Sequence, residues 1–320
     1  MSRSDILRPS AARPRTIYLV LAFFAIYVIW GSTYLAIRYA VQTIPPLITA
    51  GIRHLMAGSM LLLWAWRRGY RPTLREWRSS LVLGLLYFAL GHGSLHWAET
   101  VVPSGLAALL VASEPIWIAL IAMLVSHGER LTGKTAAGLL LGVLGVALLM
   151  RKGPGPENQA VLIGSIAILL GTLSWSVGVF YSRRESLPHD VAARAGMPEI
   201  MGSAILLLVA SLTGEMSRFH AATISPRSAW ALLYLITFGS IVAFTSYTWL
   251  LDHVSPTLVS THTYVNPVIA VLLGWLWAGE MVSFRVLAAG ICTLIAVFLI
   301  SRGTKKAALL RKLAEQVEVA

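Results

Sequence analysis

A carboxylic acid and a proline stand in the middle of a strongly apolar run, LVASEPIWIALI, from Leu110 to Ile121. An ionised carboxylate costs roughly 3 kcal/mol at the centre of a membrane helix, and proline removes a backbone hydrogen-bond donor. Neither residue helps a plain spanning helix. We therefore predict that Glu114 lines a polar cavity, where it contacts a substrate ammonium group or carries a coupled proton. The alternative is a neutral acid that only donates a structural hydrogen bond.

A second group of polar residues occurs in HGSLHWAE, where His92, His96 and Glu99 are spaced i, i+4 and i+7. This spacing places all three side chains on one face of a helix, and three or four such ligands can hold zinc. The group is therefore a candidate site for an intramembrane metalloenzyme. It is equally a candidate transport site, with His96 on the substrate pathway and Glu99 carrying a proton, or a set of polar groups without chemistry.

Other charged residues also fall within or at the ends of apolar runs. Arg53, His54 and Glu199 lie inside such runs, and charged groups in a membrane interior pair with one another or face the protein interior. We predict a structural role for Arg53, paired with Glu199 or with a loop acid. Glu129 and Glu280 each follow a glycine at the end of a run and are predicted to be structural residues.

The composition shows what kind of element must position these residues. Of the 320 residues, 57% are hydrophobic and 12% are charged, whereas soluble domains carry about 25% charged residues. Apolar runs of about twenty residues recur, and each can cross roughly 30 Å of hydrocarbon. The net charge of +12 lies in tails and short loops, where topology and anionic headgroups explain it. The chain is therefore predicted to be a polytopic membrane protein with no nucleic-acid partner.

The runs are predicted to be helices, because lipid offers the backbone no other partner short of a closed barrel. Breaks at charge, Pro and Gly clusters give ten spans. They cover residues 17–37, 47–66, 80–98, 103–125, 134–150, 159–181, 192–213, 228–250, 254–278 and 283–301. If the N-terminus is cytoplasmic, 19 of the 26 Lys and Arg residues fall inside and 6 outside, with Arg53 within a span. Both basic tails, 1–16 and 302–320, are therefore predicted to be cytoplasmic.

The two halves of the chain resemble each other. MAGSMLLL in the first half echoes MGSAILLL in the second, and Pro115 and Pro267 each precede a glycine by 23 residues. Five spans per half is an odd number, so the second half must enter the membrane in the opposite orientation. We predict an all-α membrane protein of ten helices in two inverted five-helix repeats, 17–150 and 159–301. Many secondary transporters have this architecture.

Each half also places a polar residue before its proline, Glu114 before Pro115 and Asn266 before Pro267. A pre-proline kink frees a backbone carbonyl, which is tolerated in a membrane where it lines a cavity. Two such kinks that face each other would shape a polar binding site near the midplane. The alternative is that both prolines bend their helices for packing alone.

Four stretches together carry a family resemblance: YVIWGSTYLAIRYA, VPSGLAALLVASEP, GTLSWSVGVFYSRR and SPTLVSTHTYVNPVIAVLLGWLWAGE. They are similar to EamA-type members of the drug/metabolite transporter superfamily, and most of all to YedA-like inner-membrane transporters. The resemblance covers residues 17–301. It implies ten helices, cytoplasmic termini, and export of small metabolites such as amino acids by alternating access. It implies no metal and no cofactor.

The candidate substrate pathway follows from the resemblance and from the residues before the second proline. The resemblance implies a pathway position for the WGSTY residues of the first span and for the aromatic residue of LSWSVG in the sixth. The alternative is that these aromatic residues are anchors at the membrane interface. The predicted pathway residues are Trp30, Ser32, Tyr34, His96, Glu114, Trp175, Tyr264 and Asn266.

We therefore predict a secondary transporter and not an enzyme. GERLTGKT, residues 128–135, has the spacing GxxxxGK[ST], but it joins two apolar runs and follows no predicted strand, which a phosphate-binding loop requires. A gradient and not ATP is therefore the expected direct energy source. The expected partners are a small-molecule substrate and the lipid bilayer, and a homodimer is compatible with the sequence. The metalloenzyme described above stays open as an alternative, as does a non-transporting sensor or scaffold that acts through the C-terminal tail.

Overall fold

The computed structural model describes residues 15–125, 133–150, 156–182, 185, 187–254, 256–259, 261–284, 286–300 and 302. Nearly all of both basic tails and Glu129 lie outside these residues. Within the described part of the chain the regular elements are helices and no strand occurs, which confirms the prediction of an all-α protein. The cause is the apolar composition of the chain, because in lipid a helix forms all of its backbone hydrogen bonds within itself.

The main helices are labelled in chain order. They are α1 Thr16–Ala40, α2 Pro46–Arg67, α3 Leu74–Ala98, α4 Ser104–Val111, α5 Glu114–Val125, α6 Gly133–Met150, α7 Pro156–Ser182, α8 Val191–Leu212, α9 Pro226–His253, α10 His262–Ala278 and α11 Val286–Ile300. Short turns of helix at Glu215–Arg218, Ala221–Thr223 and Pro256–Val259 connect some of them.

Seven helical stretches of the described chain are long and apolar enough to cross a membrane. They are Thr16–Ala40, Pro46–Arg67, Leu74–Ala98, Ser104–Ala122, Asn158–Ser182, Val191–Leu212 and Pro226–His253. The remaining predicted spans, 134–150, 254–278 and 283–301, contain the shorter or less apolar helices α6, α10 and α11. The chain is thus a multi-pass membrane protein, while the count of ten spans stays a prediction.

Helices α2 and α8 pack with their backbones in direct contact. A Cβ atom added to Gly58 would lie 2.6 Å from the carbonyl oxygen of Gly196, and one added to Gly196 would lie 2.7 Å from that of Gly58. Small residues allow membrane helices to approach this closely. The MAGSMLLL and MGSAILLL stretches lie on these two helices, so the most similar parts of the two halves belong to helices that pack together.

Among the described residues, three helices contain wider, π-helical segments, at Ala25–Ile29 in α1, Gly84–His92 in α3 and Leu235–Phe244 in α9. Such turns change the i to i+4 bonding pattern and release carbonyl groups. In the structure, Trp30 Nε1 donates to the Gly239 carbonyl at 3.1 Å, and Ser174 Oγ donates to the Leu86 carbonyl at 2.9 Å. Side chains from one half of the chain therefore satisfy widened turns in the other half.

The end of α10 explains the role of Glu280. Gly279 has φ +65°, a left-handed conformation that ends helices and favours glycine, and the Glu280 N–H donates to the Gly274 carbonyl at 3.0 Å. The chain turns back, and the Glu280 carboxylate accepts from Ser104 N and Oγ at 2.7 and 2.8 Å and from Gly105 N at 3.0 Å. Glu280 thus caps the first turn of α4, a structural role across the two halves.

A second carboxylate serves α2 in the same manner. Helix α2 follows Pro45, which offers no capping side chain, and Glu215 Oε2 accepts from Leu47 N at 2.9 Å and Ile48 N at 3.3 Å. A negative group at a helix N-terminus satisfies free N–H groups and interacts favourably with the helix dipole. Each of these two carboxylates lies after residue 159 and each capped helix before residue 150, so the caps tie the two halves together.

The predicted fourth span is interrupted at the stretch that contains Glu114. Helix α4 ends at Val111, Ala112 and Ser113 form a turn, and α5 begins at Glu114. The predicted ninth span differs, because α10 starts at His262 and continues through Pro267. The two prolines therefore occupy different local settings, and the interruption in the second half lies upstream of α10.

Candidate functional site

A cavity of about 90 Å³ lies where α1, α2, α3, α4, α7 and α10 meet. Helices from before Met150 and from after Pro156 both contribute to its wall. Its apolar wall includes residues such as Ile37, Leu95 and Ile168. The polar and aromatic groups that line it are Trp30, Thr33, Tyr34, Arg53, His92, Glu114, Thr172, Trp175, His262, Thr263 and Asn266. An apolar hollow with a few convergent polar groups is the usual form of a small-molecule site.

Many of the residues predicted from the sequence meet at this cavity. Those lining it are Trp30, Tyr34, Glu114, Trp175, Asn266 and Pro267. Glu114 is 8% exposed and stands at the start of α5, directly after the interruption of the fourth span. The structure thus places a carboxylate beside a cavity, as the cost of burying it in lipid predicts. That these residues contact a substrate, and that Glu114 couples protons, stay predictions.

Four other candidates do not line the cavity. Ser32 Oγ bonds the Tyr234 hydroxyl at 2.6 Å and also donates to the Ile29 carbonyl, and the Tyr264 hydroxyl donates to the Val297 carbonyl at 2.9 Å. His96 and Glu99, considered below, are also absent from the wall. Helical spacing alone does not fix which face of a helix is turned inward.

The group His92, His96 and Glu99 does not converge on one point. His92 Nδ1 lies 2.8 Å from His54 Nε2, and His96 Nδ1 lies 2.7 Å from the His92 carbonyl oxygen. In the residues that the structure describes, no group of three or more His, Cys, Asp or Glu side chains is arranged to hold a metal ion. The described residues therefore do not form the three-ligand metal site of the alternative hypothesis. The Nδ1 atoms of His92 and His96 face a neighbouring ring and a backbone carbonyl, whereas His96 Nε2 has no hydrogen-bond partner in the described chain.

Glu99 lies at the end of α3 and is fully buried. Its backbone carbonyl accepts from Arg38 Nη1 at 2.5 Å, whereas neither carboxylate oxygen has a hydrogen-bond partner within the described chain. A buried polar group without a partner in a native structure needs an explanation, such as an unseen water or ion or a functional role. Its assignment as a proton carrier remains untested.

Arg53 enters the cavity wall from α2. It is 2% exposed, and its Nε donates to Ser240 Oγ of α9 at 3.0 Å. The predicted ion pair with Glu199 does not form. The basic atom near Glu199 is instead His54 Nδ1, 3.6 Å from Oε1. Arg53 Nη1 has no hydrogen-bond partner in the described part of the chain.

Aromatic rings from both halves meet along one side of the cavity. Trp30 and Trp175 approach edge to face with ring centroids 6.5 Å apart, His92 stacks on Trp175 at 5.5 Å, and Trp30 also contacts His262 at 5.3 Å. Such rings offer broad apolar surface and favour edge-on or offset contacts. The wall can therefore hold an apolar part of a ligand beside its polar groups.

Asn266 joins the cavity wall to a widened turn of α1. With its amide nitrogen assigned toward the carbonyl groups that surround it, the side chain donates to the carbonyls of Ile26 at 2.9 Å, Tyr27 at 3.0 Å and His262 at 3.2 Å. It thereby satisfies carbonyls of the π-helical segment of α1. The polar residue before Pro267 thus holds two helices together and lines the cavity at once.

Four polar residues of the cavity wall were not predicted from the sequence: Thr33, Thr172, His262 and Thr263. A signal existed for three of them. Thr33 follows Trp30 by three residues and Thr172 precedes Trp175 by three, and residues three apart share a helical face. His262 precedes Asn266 by four. Taking each proposed aromatic or amide residue together with its neighbours on the same face would have found them.

Comparison with known proteins adds to this geometry. The model of the EamA-like transporter family matches the chain twice, over residues 17–151 and 162–302. The uncharacterized inner membrane transporter YedA of Escherichia coli K12 is 39% identical over 285 residues, which covers 88% of this chain and 90% of that protein. Protein PagO of Salmonella typhimurium is 27% identical over 290 residues, covering 89% and 93%. The uncharacterized transporter YoaV of Bacillus subtilis is 25% identical, covering 88% and 96%.

A solved crystal structure is among those with a similar fold. It superposes with a TM-score of 0.61 at 20% sequence identity, and the match covers 90% of this chain and 98% of that chain. At this identity the likeness concerns the fold alone.

Proposed function

The chain belongs to the EamA-like transporter family, and from that premise we propose that it is a secondary transporter of small metabolites. The proposed activity is export of amino acids or related compounds across the inner membrane by alternating access. The observation that carries the proposal is the cavity, because helices of both family-matched segments build its wall. A site between two repeats near the middle of the bundle is what alternating access requires.

The proposed architecture is ten helices in two inverted five-helix repeats. Two matches of one family model in a single chain support it. A reciprocal pair of contacts supports it as well: Trp30 donates to the widened turn of α9, and Ser174, next to Trp175, donates to the widened turn of α3. Under an inverted repeat, α1 corresponds to α7 and α3 to α9, so these two contacts would be equivalent.

The proposed transport step is a rocking of the two repeats about the cavity. In the conformation described, the caps that Glu215 and Glu280 form on α2 and α4 join the halves. With alternating helix directions, both caps lie on the same side of the membrane, which the Lys and Arg bias makes the outer side. Opening the cavity toward that side would require these contacts to loosen, and closing it would restore them.

Glu114 is the proposed contact for a substrate ammonium group or for a coupled proton. It is the acidic side chain in the cavity wall, and intramembrane acids commonly serve ion and proton pathways. A small-molecule substrate and the bilayer are the proposed partners. Cytoplasmic termini are proposed from the charge bias, and an inner-membrane location from the similarity to YedA, which is named as an inner membrane transporter.

The test uses proteoliposomes loaded with a mixture of amino acids and common metabolites, with efflux followed by mass spectrometry. Wild type, Glu114→Gln and protein-free liposomes are compared with and without an imposed pH gradient. The proposal predicts that wild type releases at least one compound faster than protein-free liposomes do. Loss of the pH effect in Glu114→Gln would assign coupling to this residue. Absence of any wild-type efflux under all conditions would refute the transporter proposal.

A further inference from the structure

Arg53 presents a buried cation to the cavity with part of its hydrogen-bonding capacity unused. The guanidinium group carries five N–H donors. Ser240 Oγ accepts from Nε, whereas Nη1 has no partner among the residues described. Arg53 is 2% exposed and lines the cavity. An unpaired donor on a buried charge is costly, so a missing acceptor is the simplest explanation for this arrangement.

The acids near Arg53 do not supply that acceptor. Glu199 and Glu99 contribute to its electrostatic surroundings, yet neither lies within ion-pair distance of it in the described structure, where the ion pairs are His54–Glu199, Arg68–Asp190 and Arg194–Asp252. Both acids have carboxylate oxygens without hydrogen-bond partners there. The guanidinium is thus held near negative charge without being neutralised by direct contact.

The guanidinium is also held in a fixed position by α9. Ser240 anchors Nε, and a Cβ atom added to the neighbouring Gly239 would lie 3.0 Å from Nη2. The missing side chain at Gly239 therefore makes room for the guanidinium beside the helix backbone. The same glycine carbonyl accepts from Trp30 Nε1, which couples the position of Arg53 to the aromatic wall. A positioned group loses little freedom when it binds a ligand.

We propose that Arg53 is the carboxylate subsite of the cavity. This inference rests on the proposed function and deepens it. A planar guanidinium with free N–H groups can form two parallel hydrogen bonds to a carboxylate or to a phosphate. Among the anionic groups of small metabolites, these two fit it best. Glu114 supplies a group of opposite charge to the same cavity. The cargo is therefore a small zwitterion that carries both a carboxylate and an ammonium group, with its apolar part against Trp30 and Trp175.

The experiment compares cargo that differs only at the carboxylate. Proteoliposomes are loaded with the twenty common amino acids in one set and with their primary amides in the other, since the amide keeps the size and the ammonium group but removes the negative charge. Efflux is measured for wild type, Arg53→Lys and Arg53→Gln. The control is Arg68→Gln, because Arg68 follows α2 and has a side chain that is 59% exposed. Each protein is checked for a monodisperse gel-filtration peak.

The proposal predicts that wild type and Arg68→Gln release amino acids and not their amides. Arg53→Gln should slow release of the acids about 10- to 100-fold, the value expected for a lost hydrogen bond to a charged group, while Arg53→Lys keeps part of the rate. Equal release of acids and amides by wild type overturns the subsite even if Arg53→Gln fails to fold. Unchanged acid release by folded Arg53→Gln also overturns it, and both of these outcomes leave the transporter proposal intact. Release of neither set by wild type contradicts amino acid export, and the subsite with it.

Discussion

Replacing Glu280 by alanine should destabilise the protein by about 2 kcal/mol. The carboxylate accepts three hydrogen bonds, at 2.7 and 2.8 Å from Ser104 and at 3.0 Å from Gly105, at the N-terminus of α4. Loss of a capping side chain costs about 1 kcal/mol. Loss of a negative charge at a helix N-terminus costs up to about 1 kcal/mol more. No side chain of α4 replaces it, since Pro103 precedes the helix and forms no side-chain cap.

Thermal unfolding in detergent, followed by tryptophan fluorescence, measures this effect. We expect Tm to fall by roughly 4 °C in Glu280→Ala, from the usual relation between stability and Tm. Glu280→Gln, which retains one acceptor oxygen but no charge, should fall by about half as much. Asp252→Asn is the matched control, because Asp252 forms a surface ion pair with Arg194 and its side chain is 41% exposed. Exposed pairs contribute little. A Glu280→Ala midpoint equal to that of Asp252→Asn would refute the capping argument.

The remaining predictions concern the contacts that shape the cavity and the helix crossing. Trp30→Phe keeps a ring in the aromatic wall but removes the donor to the Gly239 carbonyl, a loss of about 1 kcal/mol. We expect the initial efflux rate of this variant to fall about fivefold while its gel-filtration peak stays unchanged. An unchanged efflux rate would contradict a role of this hydrogen bond in transport. Gly58→Ala places a Cβ atom 2.6 Å from the Gly196 carbonyl oxygen, whereas a Cβ atom at Gly133 meets nothing within 4 Å. Gly58→Ala should therefore lower Tm and the monodisperse yield, Gly133→Ala should not, and equal behaviour of the two variants would show that the crossing tolerates a methyl group.

The fold class and part of the cavity could be predicted from the sequence for physical reasons. Long apolar runs leave the backbone no partner but its own helix, so the all-α structure follows from composition. Glu114 could be placed at a cavity because the free-energy cost of exposing a carboxylate to lipid is high, so such groups face the protein interior or a cavity. Trp30 and Trp175 came from the family resemblance, and the structure brings both to the same wall.

What the sequence could not supply was the rotation of each helix. Tyr264 lies two residues from Asn266, and its hydroxyl bonds to α11 instead of facing the cavity. In α3 the π-helical segment ends at His92 and alters the turn that regular i, i+4 counting assumes. The spacing of residues along the sequence also does not give the distance between side chains on different helices. For this reason the sequence predicts that Arg53 pairs with Glu199 or with a loop acid, whereas the structure joins it to Ser240.

If the cavity is the path of the cargo, a bulky side chain that fills it should stop transport. Ala112 lines the cavity and is 2% exposed, so the ring of Ala112→Phe would occupy space that a cargo needs. Ala204 of α8 is exposed on the outer surface of the bundle, which makes Ala204→Phe the matched control. With both variants monodisperse, we expect that Ala112→Phe abolishes amino acid efflux from proteoliposomes and that Ala204→Phe retains the wild-type rate. Efflux that persists in Ala112→Phe, or that is lost equally in both variants, would contradict this expectation.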